Sequence, residues 1–183
     1  RKAILWNDQR TEPQCASITA KAGGVRGLLS YTNNRMLPGY TGGKILWLRE
    51  NEPRVYERMA KFVNPKDYIR LRLTGGLATE VSEGSGTGLF DGRARAWSRS
   101  LFELLDIPLD LALPCYESIE VSGRVRAEAA ESLGLPKGLP VVGGGGDAVI
   151  QTLGTGVTSS DVLMTIIGTA GIVSTAFESF REN

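Results

Sequence analysis

The chain has 183 residues, 42% hydrophobic and 22% charged, an ordinary composition for a folded protein with a sizeable core. Its 21 Lys and Arg against 20 Asp and Glu leave a net charge of +1, which excludes a nucleic-acid binder working by bulk charge and an acidic tail protein. Histidine is absent, so Ser-His-Asp and Cys-His triads, His-ligated zinc and imidazole bases are excluded too.

The chain opens at Arg1 and runs at once into the apolar stretch Ala3-Ile4-Leu5-Trp6, which predicts a strand. A domain rarely starts inside a strand, so a piece of a longer protein is expected. Thr11-Glu12-Pro13 reads as a helix start, with a cap, an acid and a first-turn proline, and predicts a helix to about Lys21. Gly23-Gly24 punctuates it, and a loop is expected over 33–40. Helical periodicity returns over 41–50 through Ile45, Trp47 and Leu48. Glu52-Pro53 predicts a further helix with Val55, Tyr56 and Met59 on one side. Pro65-Lys66-Asp67 opens another, closed by Gly75-Gly76.

The Ser-, Thr- and Gly-rich stretch 78–91 predicts loop and short strand. Helices are expected over 97–105, 127–133 and 147–153. A buried strand is expected at 140–142, and two strands at 162–167 and 172–177, joined by Gly168-Thr169-Ala170-Gly171. No apolar run reaches the roughly 18 residues of a membrane-spanning helix. Cys15 and Cys115 form no CxxC motif and predict free thiols in a reducing, cytoplasmic setting.

Three segments carry chemistry. In Gly143-Gly144-Gly145-Gly146-Asp147 a strand gives way to four glycines, an aspartate and a helix. Missing side chains let another molecule approach the backbone, and Asp147 beside that floor could take a proton from a substrate hydroxyl. The same residues also suit a plain helix cap. A dinucleotide fingerprint fits loosely, but the next strand ends without the acid that reading needs. The turn at Gly168, Thr169 and Gly171 suits phosphate oxygens or an ordinary hairpin. Gly43-Lys44 lacks the upstream glycine and following Ser or Thr of a P-loop. Trp6-Asn7-Asp8-Gln9-Arg10 sets an aromatic wall beside polar groups, as in a sugar pocket, or as a core Trp with a capping cluster. The arginines Arg54, Arg58, Arg70 and Arg72 read as solvated helix faces.

Five segments in register resemble the FGGY carbohydrate kinases, most of all their xylulokinase branch. They are 3–11, Leu37-Pro38-Gly39-Tyr40-Thr41 through Leu48, Pro65-Lys66-Asp67-Tyr68 through Gly75, Gly144 through Asp147, and Ile167 through Gly171. The resemblance implies an α/β, actin-like ATPase (ribonuclease H-like) fold, present in part. It implies residues 1–157 as the C-terminal part of a sugar-binding domain and 158–183 as the first strands of an ATP-binding domain. The implied activity is ATP-dependent phosphorylation of a sugar hydroxyl with Mg²⁺. By position, Asp147 would be the general base and would reach Mg²⁺ through water. Trp6, Asp8, Gly39, Tyr40 and Gly146 would line the sugar, and Gly168, Thr169 and Gly171 would hold nucleotide phosphates.

Ala148 and Glu83 stand where xylulokinases usually carry Asn or Gln and Asp, which widens the expected substrate to a related pentulose, hexulose or polyol. Other family motifs precede Arg1 or follow Asn183, so the 183-residue chain is expected to be inactive alone. The competing class is a non-catalytic actin-like module that binds a sugar or a partner. The hairpin beyond residue 157 has edges to pair, which predicts association with a second copy as a homodimer. Neither nucleic acid nor membrane is an expected partner.

Overall fold

The computed structural model describes residues 3–168 and 171–182, so Thr169 lies outside the described residues. The chain begins irregularly: Ala3-Ile4-Leu5-Trp6 is not the predicted strand, and the Trp6 side chain is exposed. A strand needs a neighbour's hydrogen-bond ladder, and none of the described strands pairs with this segment. Helix α1 (Glu12–Lys21) starts behind Thr11 as expected. Helix α2 (Gly24–Thr32), hidden in the sequence by its glycines, follows a left-handed turn at Gly23.

Helix α3 (Thr41–Asn51) packs closely on what precedes it. A side chain at Gly43 would begin 2.8 Å from Cys15 Sγ, and one at Gly42 would begin 2.9 Å from Met36 Cε. Glycine here serves helix contact rather than phosphate binding. Helix α4 (Pro53–Tyr56) is one turn, shorter than predicted, and the chain leaves it through i to i+3 bonds from Arg58 to Val55 and Met59 to Tyr56. Helix α5 (Pro65–Thr74) matches its expected start at proline and its stop at a left-handed Gly75.

The stretch expected as loop and short strand holds β1 (Thr79–Glu80), the five-residue helix α6 (Val81–Ser85) and β2 (Phe90–Asp91). Strand β2 pairs antiparallel with β3 (Ala96–Trp97), so Trp97 is extended, not helical as predicted. Its ring makes edge contacts with Phe62, Phe90 and Phe102, and its indole N–H donates to the Leu113 carbonyl at 2.7 Å. Helix α7 (Arg99–Leu104) and a 3₁₀ turn at Leu109–Leu111 follow, and then β4 (Cys115–Tyr116) pairs parallel with β1. The main core lies among these helices and includes Ile18, Leu28, Ile45, Leu46, Leu101 and Leu105.

Strand β5 (Val121–Arg124) pairs antiparallel with β6 (Pro140–Val142), with α8 (Ala127–Leu133) between them. Strand β6 lies where expected, but Val142 is exposed rather than buried. Arg70 corrects the expectation of a solvated helix face. It is buried, with Nε donating to Ser122 Oγ at 2.8 Å and Nη1 to the Gly76 carbonyl at 2.9 Å. Helix α9 (Asp147–Gly154) leaves β6 through the glycine loop. The last two strands, β7 (Met164–Ile167) and β8 (Gly171–Ser174), pair only with each other among the described residues, and Ile167 is 90% exposed.

Candidate active site

The site is built around the loop between β6 and α9. Gly146 holds the N-cap position in extended conformation, and Asp147 is the first residue of the helix. Asp147 is therefore not the cap. Its side chain is exposed, with Oδ1 accepting the Ala148 amide at 2.9 Å. Because β6 pairs antiparallel with β5, the loop does not sit in the parallel βαβ unit that a dinucleotide fingerprint requires.

The glycines have different reasons to be glycine. A side chain at Gly143 would begin 2.6 Å from the Glu117 carbonyl oxygen, and one at Gly145 would begin 2.7 Å from Ile150 Cδ1. Gly144 has φ +84°, where a Cβ is strained. The protein's own packing thus accounts for Gly143 and its backbone for Gly144, whereas the neighbour at Gly145 is the end of an exposed side chain, Ile150. Gly146 has both ordinary room and ordinary backbone, its nearest atoms being Ser82 Oγ at 3.6 Å and Glu83 Oε2 at 3.8 Å, while Gly144 has room too, meeting Lys66 Cδ at 3.8 Å. The open floor expected along the whole loop narrows to Gly144 and to Gly146, the latter beside Asp147.

Beneath the loop lies a polar cluster that sequence reading did not assemble. Glu80 is 0% exposed and caps α6, accepting the amides of Ser82 at 2.7 Å and Glu83 at 2.8 Å. It also accepts the hydroxyls of Ser82 at 2.8 Å and Ser118 at 3.1 Å, and Lys66 Nζ stands 3.7 Å away. Lys66 pairs with buried Asp67 at 2.9 Å and donates to the Gly143 carbonyl at 3.2 Å. Glu83 belongs to this cluster: burial, then Asp67, pushes its carboxyl above the usual glutamate value, opposed by Lys66 and a hydrogen bond from Asn64. Glutamate is not a favoured cap residue, so the pattern Thr-Glu-Val-Ser-Glu gave no signal; the available one was Lys66-Asp67 in the Pro-Lys-Asp-Tyr segment.

The residues expected around a sugar form a second group. Asp8 pairs with Arg10 at 2.7 Å, and Arg10 lies over the Trp47 ring at 4.8 Å. Gly39 packs so closely on this segment that a side chain there would begin 2.9 Å from the Trp6 carbonyl oxygen, and Lys44 donates to the Gly39 carbonyl at 2.7 Å. The Tyr40 hydroxyl reaches Asn34 at 3.5 Å. Gly39 thus packs on the Trp6 backbone, while Asp8 pairs with Arg10 and the Tyr40 ring packs on the main core; Trp6 is 73% exposed and not a core Trp. A polar chain leads from this group to the glycine loop. Thr41 donates to Asn64 Oδ1 at 3.2 Å, Asn64 bonds Glu83, and Glu83 faces Gly146.

Gly168 and Gly171 sit apart from both groups, in the β7–β8 hairpin. That hairpin is tied to its own approach, by Thr155 to Met164 and by Thr175 to the carbonyls of Ser159 and Val162. Among the described residues, a side chain at Gly171 would meet nothing within 4 Å. No group of three metal-ligating side chains forms among the described residues. A single exposed carboxylate such as Asp147 fits Mg²⁺, which keeps waters and takes phosphate oxygens as its other ligands. A cleft of about 280 Å³ lies elsewhere, lined by Arg26, Ser30 and Arg93, where Phe180 and Glu182 dock against Arg93. No helix among the described residues is long and apolar enough to cross a membrane.

Residues 1–154 match the N-terminal domain of the FGGY family of carbohydrate kinases. The xylulose kinase of Bacillus subtilis is 39% identical over 173 residues, covering 94% of this chain and 34% of that protein. That of Lactococcus lactis is 42% identical over 172 residues, covering 94% and 34%. The solved xylulose kinase of Rhodospirillum rubrum superposes with a TM-score of 0.92 at 28% identity, over 100% of this chain and 37% of its own. The chain spans about a third of the length of the curated relatives it matches. The fold is the α/β, actin-like ATPase architecture of these neighbours, present in part.

Proposed function

This chain belongs to the FGGY family of carbohydrate kinases, and we propose that the protein containing it phosphorylates a sugar or polyol hydroxyl with ATP. A ketopentose such as xylulose is the first candidate, on the strength of relatives named xylulose kinase. The observation that carries the reading is the exposed Asp147 carboxylate at the head of α9, beside Gly146, which has ordinary room in front of it.

Asp147 Oδ1 is held by the Ala148 amide, and the second oxygen takes the proton of the sugar hydroxyl. Gly146 lets the hydroxyl come close. Trp6, Asp8, Gly39 and Tyr40 line the sugar from the second group. The backbone at Gly168 and Gly171, with Thr169 between them, holds nucleotide phosphates. Bound Mg²⁺ supplies charge neutralisation at the phosphates, and Asp147 is the chain's contact to it through water. Such transfer needs mainly positioning and charge stabilisation, so one aspartate serves without a histidine.

Residues 1–157 belong to the sugar-binding unit and 158–183 begin the ATP-binding unit; the family match ending at 154 and the separate β7–β8 pair support this boundary. The 183-residue chain alone does not turn over, because phosphate turn and base must meet, and among the described residues the hairpin's side-chain hydrogen bonds are to its own approach. The exposed apolar residues of that hairpin favour self-association. Two free cysteines fit a cytoplasmic setting.

The test is a panel of ketoses and polyols with Mg²⁺-ATP and the full-length protein, read as ADP release. Asp147→Ala is expected to lower kcat by about 10²–10⁴-fold, the usual worth of a general base, while sugar affinity stays. No ADP release with any sugar, together with unchanged binding in Asp147→Ala, would instead identify a non-catalytic binding module.

A further inference from the structure

We propose that Ser82 and Lys66, both anchored on the buried Glu80 carboxylate, are positioning residues that set where Asp147 stands. The proposal rests on the kinase reading above and deepens it. A cap alone explains only part of what surrounds Glu80. The amides of Ser82 and Glu83 satisfy the start of α6. The hydroxyls of Ser82 and Ser118 and the Lys66 ammonium are not needed for that short helix, yet they converge on the same carboxylate.

Each of those three residues also holds the glycine loop. Ser82 Oγ accepts the Gly146 amide at 2.8 Å, Lys66 Nζ donates to the Gly143 carbonyl at 3.2 Å, and the Ser118 carbonyl accepts the Gly144 amide at 2.9 Å. The Glu120 carbonyl adds the Gly143 amide at 2.9 Å. The loop has no side chains with which to hold itself, and four consecutive glycines lose more backbone freedom on ordering than any other residues. Its shape is therefore supplied from outside. Asp147 follows Gly146 directly, so its Cα is about 3.8 Å from the Cα that Ser82 restrains. A shift of the Gly146 peptide passes to the carboxylate almost undiminished.

Ser82 is the better probe of the two. Removing the Lys66 ammonium would strand the buried Asp67 and Glu80, whereas Ser82 is half-buried and small. In the full-length protein, Ser82→Ala and the near-isosteric Ser82→Cys are expected to lower kcat by about tenfold to hundredfold, the cost of misplacing a reacting group by an ångström or less. KM for the sugar and the melting temperature should move little, and Ser82→Thr, which restores a hydroxyl, should recover kcat. Folded Ser82→Ala and Ser82→Cys proteins with wild-type kcat overturn the proposal while leaving the kinase reading intact. So does a loss of kcat that tracks loss of melting temperature in all three variants, Ser82→Thr included, since that is packing alone. A wild-type protein that phosphorylates nothing overturns both readings together.

Discussion

The Glu83 carboxylate faces Gly146, its Oε2 lying 3.8 Å from the point where a side chain on that glycine would begin. Burial, Asp67 and Glu80 all disfavour its charge, and its pKa is raised above the ordinary 4.5. A raised carboxyl stabilises the fold in its neutral form. That contribution is fully present below pH 4.5 and is lost as pH rises through the raised value. Glu83→Gln keeps the neutral shape at every pH. It is expected to melt above the wild type at neutral pH, with the gap closing as pH falls toward 4.5. Thermal melts across that range check it, and a gap that widens on acidification would contradict the sign.

Gly143 and Gly146 should respond oppositely to the same substitution. Gly143→Ala drives a carbon to 2.6 Å from a backbone oxygen that cannot swing aside, so it is expected to cost about 1–3 kcal/mol in denaturant unfolding. Gly146 is extended, with φ −60° and ψ 149°, and has ordinary clearance. Gly146→Ala is expected to stay within about 1 kcal/mol of wild type in stability, while turnover of the full-length protein is expected to fall on the proposal that the sugar hydroxyl approaches over Gly146.

Arg70 ties α5 to β5 through Ser122, to which both Nε and Nη2 donate, and through the Gly76 carbonyl. Arg70→Ala removes these charged hydrogen bonds and the packing of a buried side chain, and about 1–3 kcal/mol of stability should go with them. Arg70→Lys should recover little of it, since one ammonium cannot reproduce the planar fork. Unfolding midpoints of the two variants decide this.

Cys115 should be a slow thiol. Burial first, then Glu80 and Glu117, pushes it up to about 11, and burial also raises Cys15. Thiolate is the reactive form. Native protein is therefore expected to react sluggishly with a disulfide reagent at neutral pH, faster as pH rises toward 11, and promptly at both cysteines in denaturant. Rapid labelling of the native protein at neutral pH would contradict the burial of these thiols.

Local chemistry was legible where a segment carries its own signals. Helix α5 could be read from Pro65 to Gly75 because proline and a left-handed glycine act on the backbone without help from elsewhere. The strand, glycine loop and helix around Asp147 were legible for the same reason. Where a neighbour decides, reading from sequence failed. Ala3 to Trp6 has the composition of a strand but no pairing strand among the described residues. Trp97 looked helical, yet contacts with Phe62, Phe90 and Phe102 go with an extended backbone.

The sequence by itself determined that a histidine-free chain carries an aspartate at the head of a helix behind four glycines, because those features are local and chemical. Only the tertiary structure decided that Gly143 answers to internal packing and Gly144 to backbone conformation, and that Lys66, Glu80, Ser82 and Ser118 hold the loop. Those bonds join residues as many as 77 positions apart. They form because a buried carboxylate must gather donors wherever the fold brings them, and no spacing in the chain announces which donors those will be.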